Sequence, residues 1–172
     1  MKKGQWLLIS LSVATSMGLA LGNLLAHGNE KHTAQATVGA AKVSIAYAAP
    51  TLKGRDPMKM IHPGDLWRMG ADMPTTLETD ADLDFGGTRV AKGKYVLLAR
   101  CVDPDHWTLV VSTKDRNHYD AEAKVAEVRA EFATGSDPAE ELAINLSSDG
   151  GQGVIEISWG TLRLKASFQP AR

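Results

Sequence analysis

Past the first forty residues the chain alternates apolar and polar side chains with a period of two. Val43, Ile45 and Tyr47 alternate with Ser44 and Ala46, which predicts a strand with one buried face, closed by Pro50. Leu77, Ala81, Leu83 and Phe85 alternate with Glu78, Asp80, Asp82 and Asp84, and Gly86-Gly87 follows as a turn that uses glycine's freedom at positive φ. Tyr95, Leu97, Ala99 and Cys101 face one way while Val96 and Leu98 face the other, so this strand reads as covered on both sides. After the turn Asp103-Pro104-Asp105, Trp107, Leu109 and Val111 line one face of its neighbour.

Residues 125–132 fit both periods. Val125, Val128 and Phe132 suit a helix, whereas Ala126, Val128, Ala130 and Phe132 alternate as in a strand, and the strand is the reading adopted, with a short helix allowed near 121–125. Leu142, Ile144 and Leu146, then Ile155, Ile157 and Trp159, then Leu162, Leu164, Ala166 and Phe168 predict three more strands, with turns at Asp149-Gly150-Gly151 and at Gly160. About eight short strands and no crossover helices predict an all-β, antiparallel β-sandwich or jelly-roll-like domain over residues 37–170.

The amino terminus has a different grammar. Lys2 and Lys3 precede an uncharged apolar run from Trp6 to Leu21, and small residues near 20–26 offer a cleavage site, so residues 1–26 read as a signal peptide. An uncleaved membrane anchor is the alternative, since the run is long enough to span a bilayer. The expected location is the periplasm or the medium, and any membrane contact is through this segment alone. Residues 27–36 read as a linker.

Composition narrows the functions. The 172 residues carry 19 basic and 20 acidic side chains and no basic run interleaved with aromatics, which argues against a nucleic-acid partner. The single cysteine, Cys101, reads as a small buried hydrophobe. No nucleophile elbow, zincin, phosphate-loop or paired-cysteine motif occurs, so no cofactor is implied.

Candidate chemistry concentrates between Pro50 and Thr76. Arg68, beside Trp67 and ahead of Gly70-Ala71-Asp72, could offer its planar five-donor fork to a carboxylate or phosphate, with Arg55 joining it and Asp72, Thr75 and Thr76 as polar neighbours. The competing structural reading pairs Arg68 with Asp72 to pin a loop. In a regular strand Trp67 and Arg68 would face opposite ways, so one pocket can use both only if the backbone is irregular there. Met58, Met60 and His62 are weak candidate ligands for Cu(I), with packing the preferred role. Asp80, Asp82 and Asp84 lack the glycine and glutamate that an EF-hand requires after them. His62, His106 and His118 are the histidines around which a hydrolase site could assemble. The favoured function is therefore a non-enzymatic module that binds a small polar or anionic ligand, or a protein partner. A hydrolase and a periplasmic copper-binding protein are the alternatives.

The strings TLKGR (51–55), GDLWRMGAD (64–72) with Thr75-Thr76, FGG (85–87), AKGKYVLLA (91–99), HWTLV (106–110) and ISWGTLRL (157–164), in this order, resemble the exported bacterial domain-of-unknown-function family numbered 2911. The resemblance runs from about Ala36 to Phe168 and centres on WR-x-GA. It implies an all-β exported domain and carries no activity with it.

Overall fold

A computed structural model describes residues 29–172. The segment read as a leader, 1–26, lies outside them, and among the described residues no helix is long and apolar enough to cross a membrane. Strand β1 (Glu30–Val38) pairs with β2 (Ala41–Ala49), and a single helical turn, α1 (Pro57–Met60), follows. Next come β3 (Leu66–Trp67), β4 (Thr76–Thr79), β5 (Leu83–Phe85) and β6 (Thr88–Val90). Then β7 (Gly93–Asp103) and β8 (His106–Ser112) lead to the long strands β9 (Lys124–Asp149) and β10 (Gln152–Pro170).

All pairings are antiparallel, as the period-two pattern predicts, and the strands join in one open ten-stranded sheet of order β1-β2-β4-β7-β8-β9-β10-β5-β6, with β3 on β7. The expected all-β antiparallel architecture is present, built as one continuous sheet that turns over a shared core. The turn is made along β9, whose first part to Ala130 pairs with β8 and whose remainder from Glu131 pairs with β10. Ile45, Leu77, Leu97 and Leu109 of one half and Ile144, Ile157, Leu164 and Phe168 of the other then share one contiguous core. The halves are also tied by hydrogen bonds: the Tyr47 hydroxyl accepts from the Ile144 amide at 3.1 Å, and Leu142 N donates to Pro50 O.

Several local expectations are corrected. The linker expected over 27–36 enters the sheet from Glu30; β1 is an edge strand whose alternation runs between exposed and half-buried positions, so its apolar signal is faint. The run from Leu77 to Phe85 breaks into β4 and β5 at Asp80–Asp82, where Lys42 N donates to Asp80 and Arg89 and Lys92 N donate to Asp82. Residues 142–146 and 125–132 belong to one strand, and Gly160 is no turn. It sits inside β10 at a bulge, with φ +55°, between shifts of register on both sides. Opposite it β9 loops out over Gly135–Pro138, where a proline breaks no ladder, and Arg163 clamps the bulge through Gly160 O, Leu162 O and Asp137 O.

Other expectations hold. Gly86 and Gly87, both at positive φ, close the β5–β6 hairpin with a two-residue turn. Leu97, Leu98 and Ala99 are all buried, so β7 is covered on both faces. The short helix near 121–125 is a 3-10 turn at Ala121–Ala123. Cys101 is buried, and its thiol pKa is pushed up by that burial and by the charges of Asp103 and Asp65.

Candidate functional site

The segment between β2 and β4 is irregular because its backbone makes tight approaches. Lys53 and Gly54 turn the chain at φ +48° and +75°, and Arg55 folds back so that Nε donates to Leu52 O (3.0 Å) and Nη2 to Thr51 O (2.7 Å). Asp56 caps α1, and Pro57 packs beside Gly160, where a Cβ would lie only 2.8 Å from the proline Cδ. The bulge at Gly160 presents Trp159, 3% exposed, against Trp67 from β3; their rings stack at 5.7 Å and 11°. The Arg55 guanidinium lies over Trp159 at 5.6 Å.

Strand β3 stops at Trp67, and Met69 follows at φ +49°. The irregularity that a shared pocket requires is therefore present, and Trp67 and Arg68 line the same cleft. Gly70 passes so near Ala48 O and the Thr75 hydroxyl that a Cβ would stand 3.2 and 2.9 Å from them. Thr75, fully buried, donates its hydroxyl to Met69 O at 2.8 Å, and Ala71 N donates to Ala48 O. On the far side, the 3-10 turn Arg116–His118 is held by Asp115, whose carboxylate accepts from the Asn117 and His118 amides.

These elements enclose a cleft of about 230 Å³ with the stacked tryptophans in its lining. Arg55, Arg68 and Arg116 surround it, and Asp65 is the one carboxylate among its lining residues. Asp65 is already engaged, accepting from His62 N at 2.8 Å. Arg68 donates Nε to Gly70 O at 3.1 Å, and its two Nη groups have no hydrogen-bond partner among the described residues; neither does the Arg116 guanidinium. Arg68 forms no ion pair with Asp72 within 4 Å. Two guanidiniums are thus tethered through Nε while donors remain for a ligand, the preorganised fork that suits a carboxylate or phosphate oxygen pair. The buried Trp159 Nε1 also has no partner.

The remaining predicted residues lie elsewhere. Asp72 is exposed at φ +61° and accepts from Asn29 N and Nδ2 at 3.1 and 2.9 Å; those two bonds, with a weaker contribution from Arg68, lower its pKa. Thr75 supports the loop from within, and Thr76 sits half-buried in β4 opposite Ala46 and Val96. Met58, Met60 and His62 do not converge as a ligand set, because α1 is a helical turn on which positions two apart diverge. Met58 packs against the core, Met60 is 44% exposed beside the cleft, and His62 is exposed with Nδ1 3.5 Å from Asp65. His106 and His118 are exposed and hydrogen-bonded to Asp103 (2.8 Å) and Asp115 (2.9 Å), which lowers the pKa of each aspartate. Among the described residues none of these three imidazoles meets a hydroxyl or thiol.

Trp159, Arg116 and Asp65 were not anticipated. An aromatic next to a glycine within a strand pattern is a bulge signal that could have drawn attention to Trp159; Arg116 carries no local signal. A wider depression of about 580 Å³ over β1, β2 and β4 mixes Lys42 with Glu78 and Asp80 and has no aromatic side chain, so it offers no convergent charge.

A family model described as a protein of unknown function (DUF2911) matches residues 29–168. No curated protein and no solved structure matches the chain.

Proposed function

Since the chain belongs to the DUF2911 family of proteins of unknown function, we propose a role from its own geometry: a non-enzymatic binding module that takes a small anionic ligand in the cleft between Arg55, Arg68 and Arg116. The observation that carries this reading is the charge balance, three guanidiniums against Asp65, with the Arg68 Nη groups uncommitted. The stacked tryptophans add a rigid apolar surface for whatever carries the anionic group. A volume of about 230 Å³ suits a ligand smaller than a nucleotide, such as a phosphate monoester or a short carboxylate. The leader read over residues 1–26 supports export, so the ligand would be met in the periplasm or the medium; cell fractionation that found the protein in the cytoplasm would reverse that part.

The test is thermal unfolding of the full chain with inorganic phosphate, sulfate or succinate, against chloride at equal ionic strength. At a hundredfold excess over Kd, binding contributes about 2.7 kcal/mol, which raises Tm by about 5–10 °C in a domain of this size. Arg68→Ala should unfold near the wild-type Tm without ligand and lose that rise. Unfolding of the variant on its own, or a wild type indifferent to all three anions, would overturn the reading.

A further inference from the structure

A second cluster of functional groups lies well away from the arginine cleft, where β1 rests against β9. Glu30 and His32, two apart on β1, share one face. Glu141 comes from β9, and one ligand atom from each of the three lies within 4.8 Å of the others. Each is carried by an anchored strand. His32 sits opposite Tyr47 in the β1–β2 register and stacks on its ring at 5.4 Å and 24°. Tyr47 in turn is fastened to β9 through the Ile144 amide. Glu141 is located by its bridge to Thr51 and by flanking backbone bonds, Leu52 N to Glu140 O and Leu142 N to Pro50 O.

The electrostatics of this cluster are unbalanced. Glu78 pairs with Lys94, Glu127 with Arg100 and Lys124, and Glu156 with Lys165, whereas Glu122, Glu131 and Glu140 have no ion pair among the described residues. Among the described residues neither Glu30 nor Glu141 meets a lysine or arginine, and neither carboxylate accepts a hydrogen bond. The half-buried His32 ring also leaves its Nε2 atom, which is itself buried, without a hydrogen-bond partner. Two carboxylates and one imidazole converging without a cationic partner make a donor set that a bound cation would satisfy.

We propose that Glu30, His32 and Glu141 form a mononuclear site for a divalent cation of the zinc class. One imidazole nitrogen and two carboxylates are borderline-hard donors that suit Zn²⁺, with Mn²⁺ as a weaker competitor and Cu²⁺ as a stronger one. In a tetrahedral zinc site the donor atoms stand roughly 3.3 Å apart on bonds of about 2.0 Å, so the three donors, now within 4.8 Å of one another, would draw closer around the ion. Three protein ligands leave a fourth position for water or a ligand oxygen. The metal would also fasten edge strand β1 to β9.

The test is calorimetric titration of Zn²⁺ into the chelator-stripped full chain, with thermal unfolding as a second readout. One equivalent should bind and Tm should rise. Glu141→Gln and His32→Gln should each weaken binding at least tenfold and abolish the rise, and Glu156→Gln, which removes a carboxylate paired with Lys165, should leave both intact. Should Glu141→Gln fail to fold, Glu30→Gln at the exposed end of β1 serves in its place. Lack of uptake by the wild type, or uptake of unchanged affinity in both Glu30→Gln and His32→Gln, would overturn the proposal.

Discussion

Single side chains around the cleft divide into those that face a ligand and those that hold the loop that carries them. Arg68 belongs to the first kind, because Nε is spent on Gly70 O while both Nη groups stay uncommitted. Thr75 belongs to the second, since its buried hydroxyl is occupied by Met69 O and has no path to the cleft. Thr75→Val keeps the shape and leaves Met69 O unsatisfied in the interior, at a cost of about 1–3 kcal/mol. Chemical denaturation would measure that loss. Anion affinity should fall with it, because Gly70 and Ala71 line the cleft on the same loop. Unaltered stability would mean that the hydroxyl is not needed to hold the turn.

Among the elements, the β10 bulge positions more of the cleft than any other. It stacks Trp159 on Trp67, seats Pro57, and lets Arg55 lie across the indole. Gly160 alone satisfies both of its constraints, a φ of +55° and a neighbour that leaves no room for a Cβ. Gly160→Ala should therefore cost more than about 1 kcal/mol. It should also change the near-ultraviolet circular dichroism of the tryptophan pair, while Gly151→Ala, at a turn with open space around it, leaves that spectrum alone.

At the scale of the whole molecule, the sheet's stability depends on pH through groups that link strands. Glu127 on β9 accepts from Thr108 on β8, from Arg100 on β7 and from Lys124. Burial works to raise its pKa, but the bonds from Thr108 and Lys124 and the charge of Arg100 outweigh it, and the result lies below the ordinary 4.5. A carboxylate so lowered stabilises the fold above the unfolded value, and the contribution is lost as pH falls through the folded one. Glu127→Gln should lower Tm by a few degrees at pH 7, and the gap should close as pH falls from the ordinary glutamate value of 4.5 through the lowered folded one. A gap that stays constant from pH 7 to pH 3 would show that the network acts through packing rather than charge.

What the amino-acid sequence determined by itself is whatever depends on near neighbours. Alternation in 43–47, 95–101 and 107–111 states which face of each strand is apolar, and Gly86-Gly87 and Gly150-Gly151 mark turns because their backbones need positive φ. Arg55, Trp67 and Arg68 were legible for the same reason, as an unusual local concentration of donors and aromatic surface. Only the tertiary structure decided how far the strands run and what they bring together. Residues 133–141 are polar because the bulged part of β9 is exposed, so nothing in them announces a strand. Likewise β1 has little apolar surface to reveal it, which hid His32 in an apparent linker. Trp159 joins Arg68 in one cleft, and Glu141 approaches His32, through strand register and one bulge. Those are set by pairings between residues far apart in the chain, where no local period carries information.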